Sequence, residues 1–384
     1  MTRNYHPTLV FIAACIGMCF FGISVITLGA ILPSLTDKLH LDTLQATSLV
    51  TFLPLGTLAG SLLFGPVVDG YGYKTLLLLS SLGVLIGLEG ITYFETLPAL
   101  QFAVFLIGLG GGILNGETNA LVADLYDSAE KSSRISLLGT FYGIGALGIP
   151  ALLGFLSEFY SLDTILRAIG VLVFGGILFC LFVRFPAPKQ AQGFPIKQGL
   201  GLLKERFLLL FSFLLFFQSG IEGISNNWTT LYLEQTTAIP SAKILVILSC
   251  MMIGVTASRI VLVFLLKKIS QRIILQVSLL IAAAGFVCLT FSPDFVRAAV
   301  GMLLVGIGIS ATYPVTLGSI SSRYPALSGT AFSVALTISL VGQTVINALM
   351  GGLTQLYGTQ VYPLLTLLSL LVMLLLFRTV SSQK

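Results

Sequence analysis

The first apolar segment of the chain reads, from Thr8 to Leu32, TLVFIAACIGMCFFGISVITLGAIL. It contains no charged residue, and it exceeds the roughly 20 apolar residues that an α-helix needs to cross a bilayer core. The run is too long for the apolar core of a cleaved signal peptide, and further apolar runs follow it at once. The sequence therefore predicts that this segment is retained as the first membrane-spanning helix.

Composition extends this prediction to the whole chain. Of the 384 residues, 56% are hydrophobic and only 9% are charged, whereas a soluble domain carries about 25% charged residues. So few charges cannot cover a water-soluble surface, which predicts an all-α membrane protein with twelve transmembrane helices. The predicted spans lie near residues 8–32, 44–64, 75–94, 98–123, 135–157, 163–183, 207–232, 241–266, 273–291, 296–319, 328–353 and 361–380.

The distribution of basic residues predicts an orientation. Of the 20 Lys and Arg residues, 15 fall at the termini and in loops that share one side if both termini are cytoplasmic, 4 fall in the opposite loops, and Arg259 falls within predicted helix 8. Because basic loops stay in the cytoplasm, the sequence predicts a multi-pass protein of the cell inner membrane with both termini cytoplasmic. The net charge of +5 is then a topology signal and does not predict nucleic-acid binding.

An internal repeat divides the chain into two halves. An offset of 198 positions superimposes similar residues of the two halves: Gly22 on Gly220, Gly56 on Gly254, Lys74 on Arg272, Gly108 on Gly306, Gly110 on Gly308 and Tyr126 on Tyr324. We therefore predict two pseudo-symmetric six-helix bundles, residues 1–184 and 207–384, joined by a cytoplasmic linker, residues 185–206. Parallel repeats of this kind are typical of secondary transporters, in which two similar bundles rock about a fixed site.

The segment after predicted helix 2 carries an acid and a base, in Gly65-Pro-Val-Val-Asp69-Gly-Tyr-Gly72-Tyr-Lys74. It resembles the loop between helices 2 and 3 of the major facilitator superfamily, and Gly65, Asp69, Gly72 and Lys74 match that pattern. The resemblance implies the major facilitator fold and a conformational role for this loop. Asp69 is expected to meet a helix N-terminus or a cation; a plain turn is the alternative. Gly70 and Tyr73 stand where the family usually has arginines.

Two acidic residues lie inside predicted helices, where a carboxylate at the bilayer centre costs about 2.5–3.5 kcal/mol. Glu117 lies in predicted helix 4, and we predict that Asn115 and Asn119 share one face of that helix with Glu117 beside them. Glu222 lies in predicted helix 7, where Gly220, Gly223 and a pair of asparagines predict a loosened helix whose carbonyls could line a cavity. Both acids are candidate proton carriers.

Other polar residues within predicted helices are candidates for binding a substrate. They are Asn115, Asn119, Gln218, Asn226, Asn227, Trp228, Gln343 and Asn347. Gln343 and Asn347 lie one helical turn apart and could form either a substrate-facing amide pair or packing hydrogen bonds. Trp228 could stack on a sugar ring, or it could be an interfacial anchor.

The segments around both acids sharpen the resemblance towards the fucose:proton symporter family and related glucose transporters. An acid followed two residues later by Asn in helix 4, and Gly-x-Glu followed by Trp and Tyr in helix 7, look like that family's patterns. Glu117 matches the family's proton-handling carboxylate in helix 4. The chain departs from the family in helix 1, where Ser24 and Thr27 replace an intramembrane acid, which puts fucose itself in doubt.

These features favour a secondary active transporter that moves a sugar, or a similar hydroxylated small solute, together with protons. The alternative is a proton-coupled antiporter that exports drugs or other amphipathic compounds, because Gly139, Gly143, Gly145, Gly148 and Gly154 partly resemble a glycine-rich antiporter motif. A membrane-embedded enzyme would need a clustered nucleophile and base, and the sequence predicts none. It also predicts no metal site and no cofactor. The expected partners are the solute, a coupling ion (H⁺ or Na⁺) and the lipid bilayer, and a monomer is expected.

Overall fold

The computed structural model describes residues 5–187, 201–291 and 294–381 of the chain. Within these ranges it contains twelve helices that are long and apolar enough to cross a membrane, and no strand. The chain is therefore an all-α, multi-pass membrane protein, as the sequence predicts. Most of the predicted linker, residues 188–200, lies outside the described residues.

The first six helices follow the predicted spans, with longer ends. They are α1 (Pro7–Leu39), α2 (Thr43–Tyr71), α3 (Tyr73–Tyr93), α4 (Leu97–Leu125), α5 (Lys131–Leu156) and α6 (Leu162–Phe182).

Local sequence features explain where some of these helices begin and end. Asp42 and Gln45 form a reciprocal capping box at the start of α2, which satisfies backbone N–H groups that would otherwise have no partner. Gly72 separates α2 from α3 with a φ of 83°, a backbone conformation that favours glycine.

The last six helices are α7 (Arg206–Thr236), α8 (Ser241–Lys268), α9 (Gln271–Thr290), α10 (Phe295–Arg323), α11 (Ser328–Tyr357) and α12 (Val361–Ser381). Helix α10 covers the predicted span of residues 296–319, but an interruption divides it into two parts. The helix runs from Phe295 to Ile309, turns at Ser310 and Ala311, and resumes at Thr312. Pro314 is the cause, because proline has no N–H to give to the carbonyl of Ser310 and its ring clashes with that group.

The predicted loosening of helix 7 is wrong. Helix α7 is continuous from Arg206 to Thr236, through both glycines and both asparagines. The glycines serve close packing: a Cβ atom on Gly220 would lie 2.1 Å from the Cδ1 atom of Ile346, and one on Gly223 would lie 2.5 Å from Nδ2 of Asn347. Contacts with α11 therefore outweigh the weak helix propensity of glycine.

The described chain divides into two compact units. The first, here the N-terminal unit, comprises the described residues within Met1–Leu125, Phe141–Gly199 and Tyr324–Ser333. The second, the C-terminal unit, comprises those within Tyr126–Thr140, Leu200–Arg323 and Val334–Lys384. Helices α5 and α11 thus each contribute their first turns to one unit and their remainder to the other. The predicted domain boundaries at 184 and 207 follow chain order alone and stay a prediction.

Equivalent glycines make equivalent contacts in the two units. A Cβ atom on Gly56 would lie 2.3 Å from the carbonyl oxygen of Phe105, and one on Gly254 would lie 2.5 Å from that of Leu303. Leu303 stands 198 positions after Phe105, the same offset that relates the two glycines. Since small residues let helix backbones approach closely, the repeat conserves the backbone contact of α2 with α4 in that of α8 with α10.

We predict that Gly108→Ala lowers the thermal stability of the protein. Its Cβ atom would lie 2.2 Å from the carbonyl oxygen of Leu53, so the helices must separate, and overpacking of this kind costs about 1–3 kcal/mol. The matched control is Gly148→Ala, because a Cβ atom there meets nothing within 4 Å. The measurement is the midpoint of thermal unfolding in detergent. Equal midpoints for the two variants would contradict the packing role.

Candidate functional site

Glu117 lies in the interior of the N-terminal unit. Its side chain is 0% exposed, and its Oε1 atom lies 2.9 Å from the Oγ atom of Ser80 on α3. Its other oxygen, Oε2, has no hydrogen-bond partner among the described residues. A buried carboxylate with one neutral partner is costly as an anion, so this position favours the protonated form.

Ser80 can respond to the charge of Glu117. A serine hydroxyl has a single hydrogen, yet the Oγ atom of Ser80 lies within bonding distance of three acceptors: the carbonyl oxygens of Leu76 (2.8 Å) and Leu77 (3.1 Å), and Oε1 of Glu117. A protonated Glu117 can donate to Ser80 while Ser80 donates to the backbone. An ionised Glu117 can only accept, so Ser80 must then donate its hydrogen to Oε1. The Ser80 hydroxyl therefore donates to the backbone when Glu117 is protonated and to Glu117 when it is ionised.

The prediction that Asn115 and Asn119 share one face of α4 is confirmed, and the prediction that Glu117 lies beside them is wrong. Asn119 donates from Nδ2 to the backbone oxygen of Asn115 at 2.7 Å, and the two side-chain amides lie 3.3 Å apart. Glu117 is directed to Ser80 on α3 instead. Residues two apart on an α-helix point about 200° apart around its axis, so the asparagines and the acid occupy nearly opposite faces of α4.

The second acid, Glu222, lies on α7 in the C-terminal unit, and its side chain is partly exposed. One helical turn before it, Ser219 joins a cluster of hydroxyl groups with α10 and α11. The Tyr313 hydroxyl forms hydrogen bonds of 2.7 Å and 2.8 Å with the hydroxyls of Ser219 and Ser339. Glu222 therefore lies beside a cluster of hydroxyl groups and is less buried than Glu117.

Three of the predicted substrate-binding residues come together between α7 and α11. Asn227 donates from Nδ2 to Oδ1 of Asn347 at 2.9 Å, and Asn347 donates from Nδ2 to the backbone oxygen of Gln343 at 2.8 Å. Gln343 and Asn227 are exposed. The absence of a side chain at Gly223 makes room for this cluster. These amides can hydrogen-bond to a solute as well as to one another.

The remaining candidates on α7 lie apart from that amide cluster. Gln218 is 1% exposed, and its Oε1 atom has no hydrogen-bond partner among the described residues. Asn226 is exposed. Trp228 is partly exposed, and its ring edge comes within 4 Å of a Cβ atom placed on Gly351 of α11.

The segment from Gly65 to Lys74 makes specific contacts inside the N-terminal unit. It is helical up to Tyr71, so the predicted turn reduces to Gly72. Oδ2 of Asp69 accepts hydrogen bonds from the backbone N–H (2.9 Å) and the hydroxyl (2.7 Å) of Thr330, in the first turn of α11. This is the helix N-terminus that the motif predicts for Asp69, where a negative charge is stabilising.

Lys74 and Tyr73, at the start of α3, each make a different hydrogen bond. Lys74 donates from Nζ to the carbonyl oxygen of Leu181 at 2.7 Å, near the C-terminus of α6, where cations are favourable. Tyr73, in a position where the family usually has arginine, donates its hydroxyl to Asp124. Asp124 also accepts from the hydroxyl of Ser328 at 2.9 Å. Two carboxylates thus hold the first turn of α11.

Sequence reasoning missed the partners of these groups. Ser80, Asp124, Thr330 and Tyr313 were not candidates, although each is central to a polar cluster. Ser80 carried a weak signal, since Ser80 and Ser81 form a polar pair inside an apolar run. Thr330 carried none, because the contact between Asp69 and Thr330 joins residues 261 positions apart.

The described residues form twelve membrane-length helices in two repeat-related units, with polar clusters buried inside each, which defines a polytopic membrane protein. The sequence model of the Major Facilitator Superfamily matches residues 14–238 and 208–384. The chain belongs to this superfamily. Its family and fold are those of transporters and not of enzymes.

Among curated proteins, the chain is similar to Protein TsgA of Salmonella paratyphi B, with 24% identity over 214 residues. The match covers 53% of this chain and 53% of TsgA, so the chain spans about half the length of that relative. Among solved structures it is similar to the E. coli fucose:proton symporter FucP, with a TM-score of 0.80, 16% identity, and 96% and 98% of the two chains covered.

A second solved structure is the proton:xylose symporter XylE bound to 6-bromo-6-deoxy-D-glucose. The TM-score is 0.76 at 14% identity, with 97% of this chain and 96% of XylE covered. At these identities the two structures establish the fold alone. Any inference about the solute or the coupling ion therefore has to rest on the chain's own residues.

We predict that Asp69→Asn slows turnover more than it weakens solute binding. Asparagine keeps an acceptor but removes the charge from a charge-assisted bond, and hydrogen bonds to charged groups are worth about 1.5–3 kcal/mol against about 1 for neutral ones. Kinetics of solute uptake should show kcat reduced by roughly tenfold with KM little changed. A large loss of equilibrium binding at an unchanged kcat would contradict this conformational role.

Proposed function

We propose that this protein is a secondary active transporter that couples the movement of protons to the symport of a sugar or similar hydroxylated solute. The observation that carries the proposal is Glu117, a fully buried carboxyl group whose one hydrogen-bond partner among the described residues is a serine. An ionisable residue in a membrane helix is costly and is retained for function. Transport by alternating access would load and release the solute at opposite faces of the membrane.

Glu117 has the properties of a proton carrier. Its neutral form suits an apolar interior, and its ionised form has a donor ready in Ser80. Loading a proton from one side and releasing it to the other requires only that the surroundings of the carboxyl group differ between two conformations. Glu222 is the rival carrier, but its side chain is partly exposed, whereas that of Glu117 is fully buried. A partly exposed carboxyl group has less to lose from ionisation than a fully buried one.

The amide side chains favour a hydroxylated solute as the substrate. Asn227, Gln343 and Asn347 present both donors and acceptors within one cluster, and Asn115 and Asn119 form a second amide pair on α4. Pockets for hydroxyl-rich solutes need such groups, whereas pockets for drugs are mostly apolar and aromatic. Export of amphipathic compounds is therefore the second candidate function, supported by the partial resemblance of the α5 glycines to an antiporter motif.

The proposal includes an orientation. With both termini in the cytoplasm, the loops rich in Lys and Arg lie on the inner side of the membrane, as the positive-inside rule requires. We further propose that the chain acts as a monomer in the cell inner membrane. No cofactor or metal is needed for this scheme, because a proton gradient supplies the energy.

The direct test of the carrier is Glu117→Gln. Glutamine keeps the shape and hydrogen-bonding capacity of a protonated carboxyl group but cannot release a proton. In proteoliposomes, with fucose, xylose and glucose as first solutes, the variant should exchange labelled solute across the membrane and lose accumulation driven by a pH gradient. Glu95→Gln, an exposed acid in the loop before α4, is the matched control and should accumulate solute normally.

Glu222→Gln in the same assay separates the two acids. If Glu117→Gln accumulates solute against a gradient as well as the wild type does, the carrier is not Glu117. Loss of accumulation in Glu222→Gln alone would then assign the proton to Glu222. Accumulation driven only by sodium would replace proton coupling altogether.

We predict that Ser80→Ala slows accumulation and spares exchange. The substitution removes the donor that the ionised form of Glu117 requires, and a hydrogen bond to a charged group is worth about 1.5–3 kcal/mol. The rate of pH-driven accumulation should fall by roughly tenfold or more. Ser81→Ala is the control, since Ser81 is equally buried and is not a partner of Glu117. Identical effects of the two variants would exclude a specific role for Ser80.

A further inference from the structure

The segment that joins α8 to α9, residues 267–272, is here called the basic turn because it carries three cations. Lys267 and Lys268 end α8, and Arg272 lies in the first turn of α9. All three side chains are exposed. No Asp or Glu occurs between residues 235 and 293. Within the described part of the chain, none of the three cations forms a hydrogen bond or an ion pair.

Gln271 joins the basic turn to its own unit. It donates from Nε2 to the Oγ atom of Ser132 at 3.0 Å, and the Oγ atom of Ser319 lies 3.4 Å from its Oε1 atom. Both serines belong to the C-terminal unit, as the basic turn does. Because the neutral side chain makes these internal contacts and the three cations do not, the charges are presented at the surface of the unit.

The equivalent segment of the N-terminal unit uses its charged residues for internal contacts. The offset of 198 places Lys267 at the position of Asp69, and Arg272 at that of Lys74. Asp69 is 1% exposed and accepts two hydrogen bonds from Thr330. Lys74 donates to a backbone carbonyl of α6. In the basic turn an exposed lysine replaces the buried acid, so the internal contacts of the first repeat do not explain its cations.

Large apolar side chains next to the basic turn are also exposed. They are Phe264, Leu265, Ile269 and Ile273, with exposed fractions from 37% to 66%. On membrane-length helices such side chains face hydrocarbon, since their exposure to water is unfavourable. Lys and Arg can lay their apolar stems along such a surface and hold the charge at the membrane interface. Cations at headgroup level thus adjoin a surface that acyl chains can cover.

We propose that the basic turn binds the headgroup of an anionic phospholipid, whose acyl chains lie against the exposed apolar residues of α8 and α9. The phosphate accepts charge-assisted hydrogen bonds from Lys and Arg, and each basic residue near an anionic membrane surface strengthens association by about fivefold. Cations that only orient the chain in the membrane require no preference for one headgroup over another. The inference goes beyond the proposed function, since it involves neither the solute nor the coupling proton.

Quenching of a tryptophan by brominated lipid reports which lipid lies at the basic turn. The reporter is Ile269→Trp in the full chain, combined with Trp228→Phe, which removes the only native tryptophan. The protein is reconstituted in phosphatidylcholine vesicles with increasing fractions of dibrominated phosphatidylglycerol or dibrominated phosphatidylcholine. The matched control is Tyr71→Trp in the same background, because Tyr71 is exposed and stands 198 positions before Ile269, at the equivalent position of the first repeat.

At low ionic strength, phosphatidylglycerol should bind at Ile269→Trp roughly tenfold more strongly than phosphatidylcholine does. The preference should fall as sodium chloride screens the charges. The combined variant Lys267→Gln, Lys268→Gln and Arg272→Gln should lower it to the value at Tyr71→Trp, whereas Lys267→Arg with Lys268→Arg should keep it. Quenching by brominated phosphatidylcholine shows in every variant that the reporter reaches lipid.

Three outcomes would overturn the proposal. Equal binding of the two lipids at Ile269→Trp, or a preference that survives the combined neutralisation, leaves the cations with orientation alone. An equal preference at Tyr71→Trp makes it a property of the whole protein surface. A fall in quenching that inorganic phosphate causes, and that chloride of the same ionic strength does not, assigns the basic turn to a free anion.

Discussion

A bilayer core offers no partner to a backbone N–H or C=O group, and this constraint governs the whole molecule. Each span must satisfy its own backbone, so the chain forms helices throughout its membrane-length segments. Helices in lipid gain little from burying apolar side chains against each other, because the lipid is equally apolar. Close backbone approach at glycine replaces that gain. Gly56 and Gly108 provide it in one unit, and Gly254 and Gly306 in the other.

The same constraint makes each polar group inside the helices costly unless it has a hydrogen-bond partner. Most hydroxyls inside the helices bond to their own backbone, as Thr27 does with the carbonyl oxygen of Ile23. Glu117 and Arg259 cannot do so, since each carries or can carry a charge. The two side chains are stabilised in different ways. Arg259 donates to the carbonyl oxygen of Gly139, whereas Glu117 relies on Ser80 and on its own protonation.

The number, order and approximate ends of the helices could be predicted from the sequence, because apolar length is a local property. The repeat could be predicted too, since the offset that aligns Gly56 with Gly254 also aligns their contacts. The directions of polar side chains could be predicted only in part. The face of Glu117 follows from helix geometry and was predicted wrongly, and the break at Pro314 had a local cause that was overlooked. The partnership of Asp69 with Thr330 depends on packing between distant segments, which no local pattern reveals.

The central claim is that a proton gradient drives uphill movement of a hydroxylated solute. The most direct measurement uses the purified full chain in proteoliposomes, a panel of labelled sugars, and imposed gradients of either protons or sodium. The account predicts that at least one sugar accumulates above its external concentration with the proton gradient, and that a sodium gradient without a pH difference gives none. Accumulation driven by sodium alone, or proton-driven export of an amphipathic compound with no sugar transported, would contradict it.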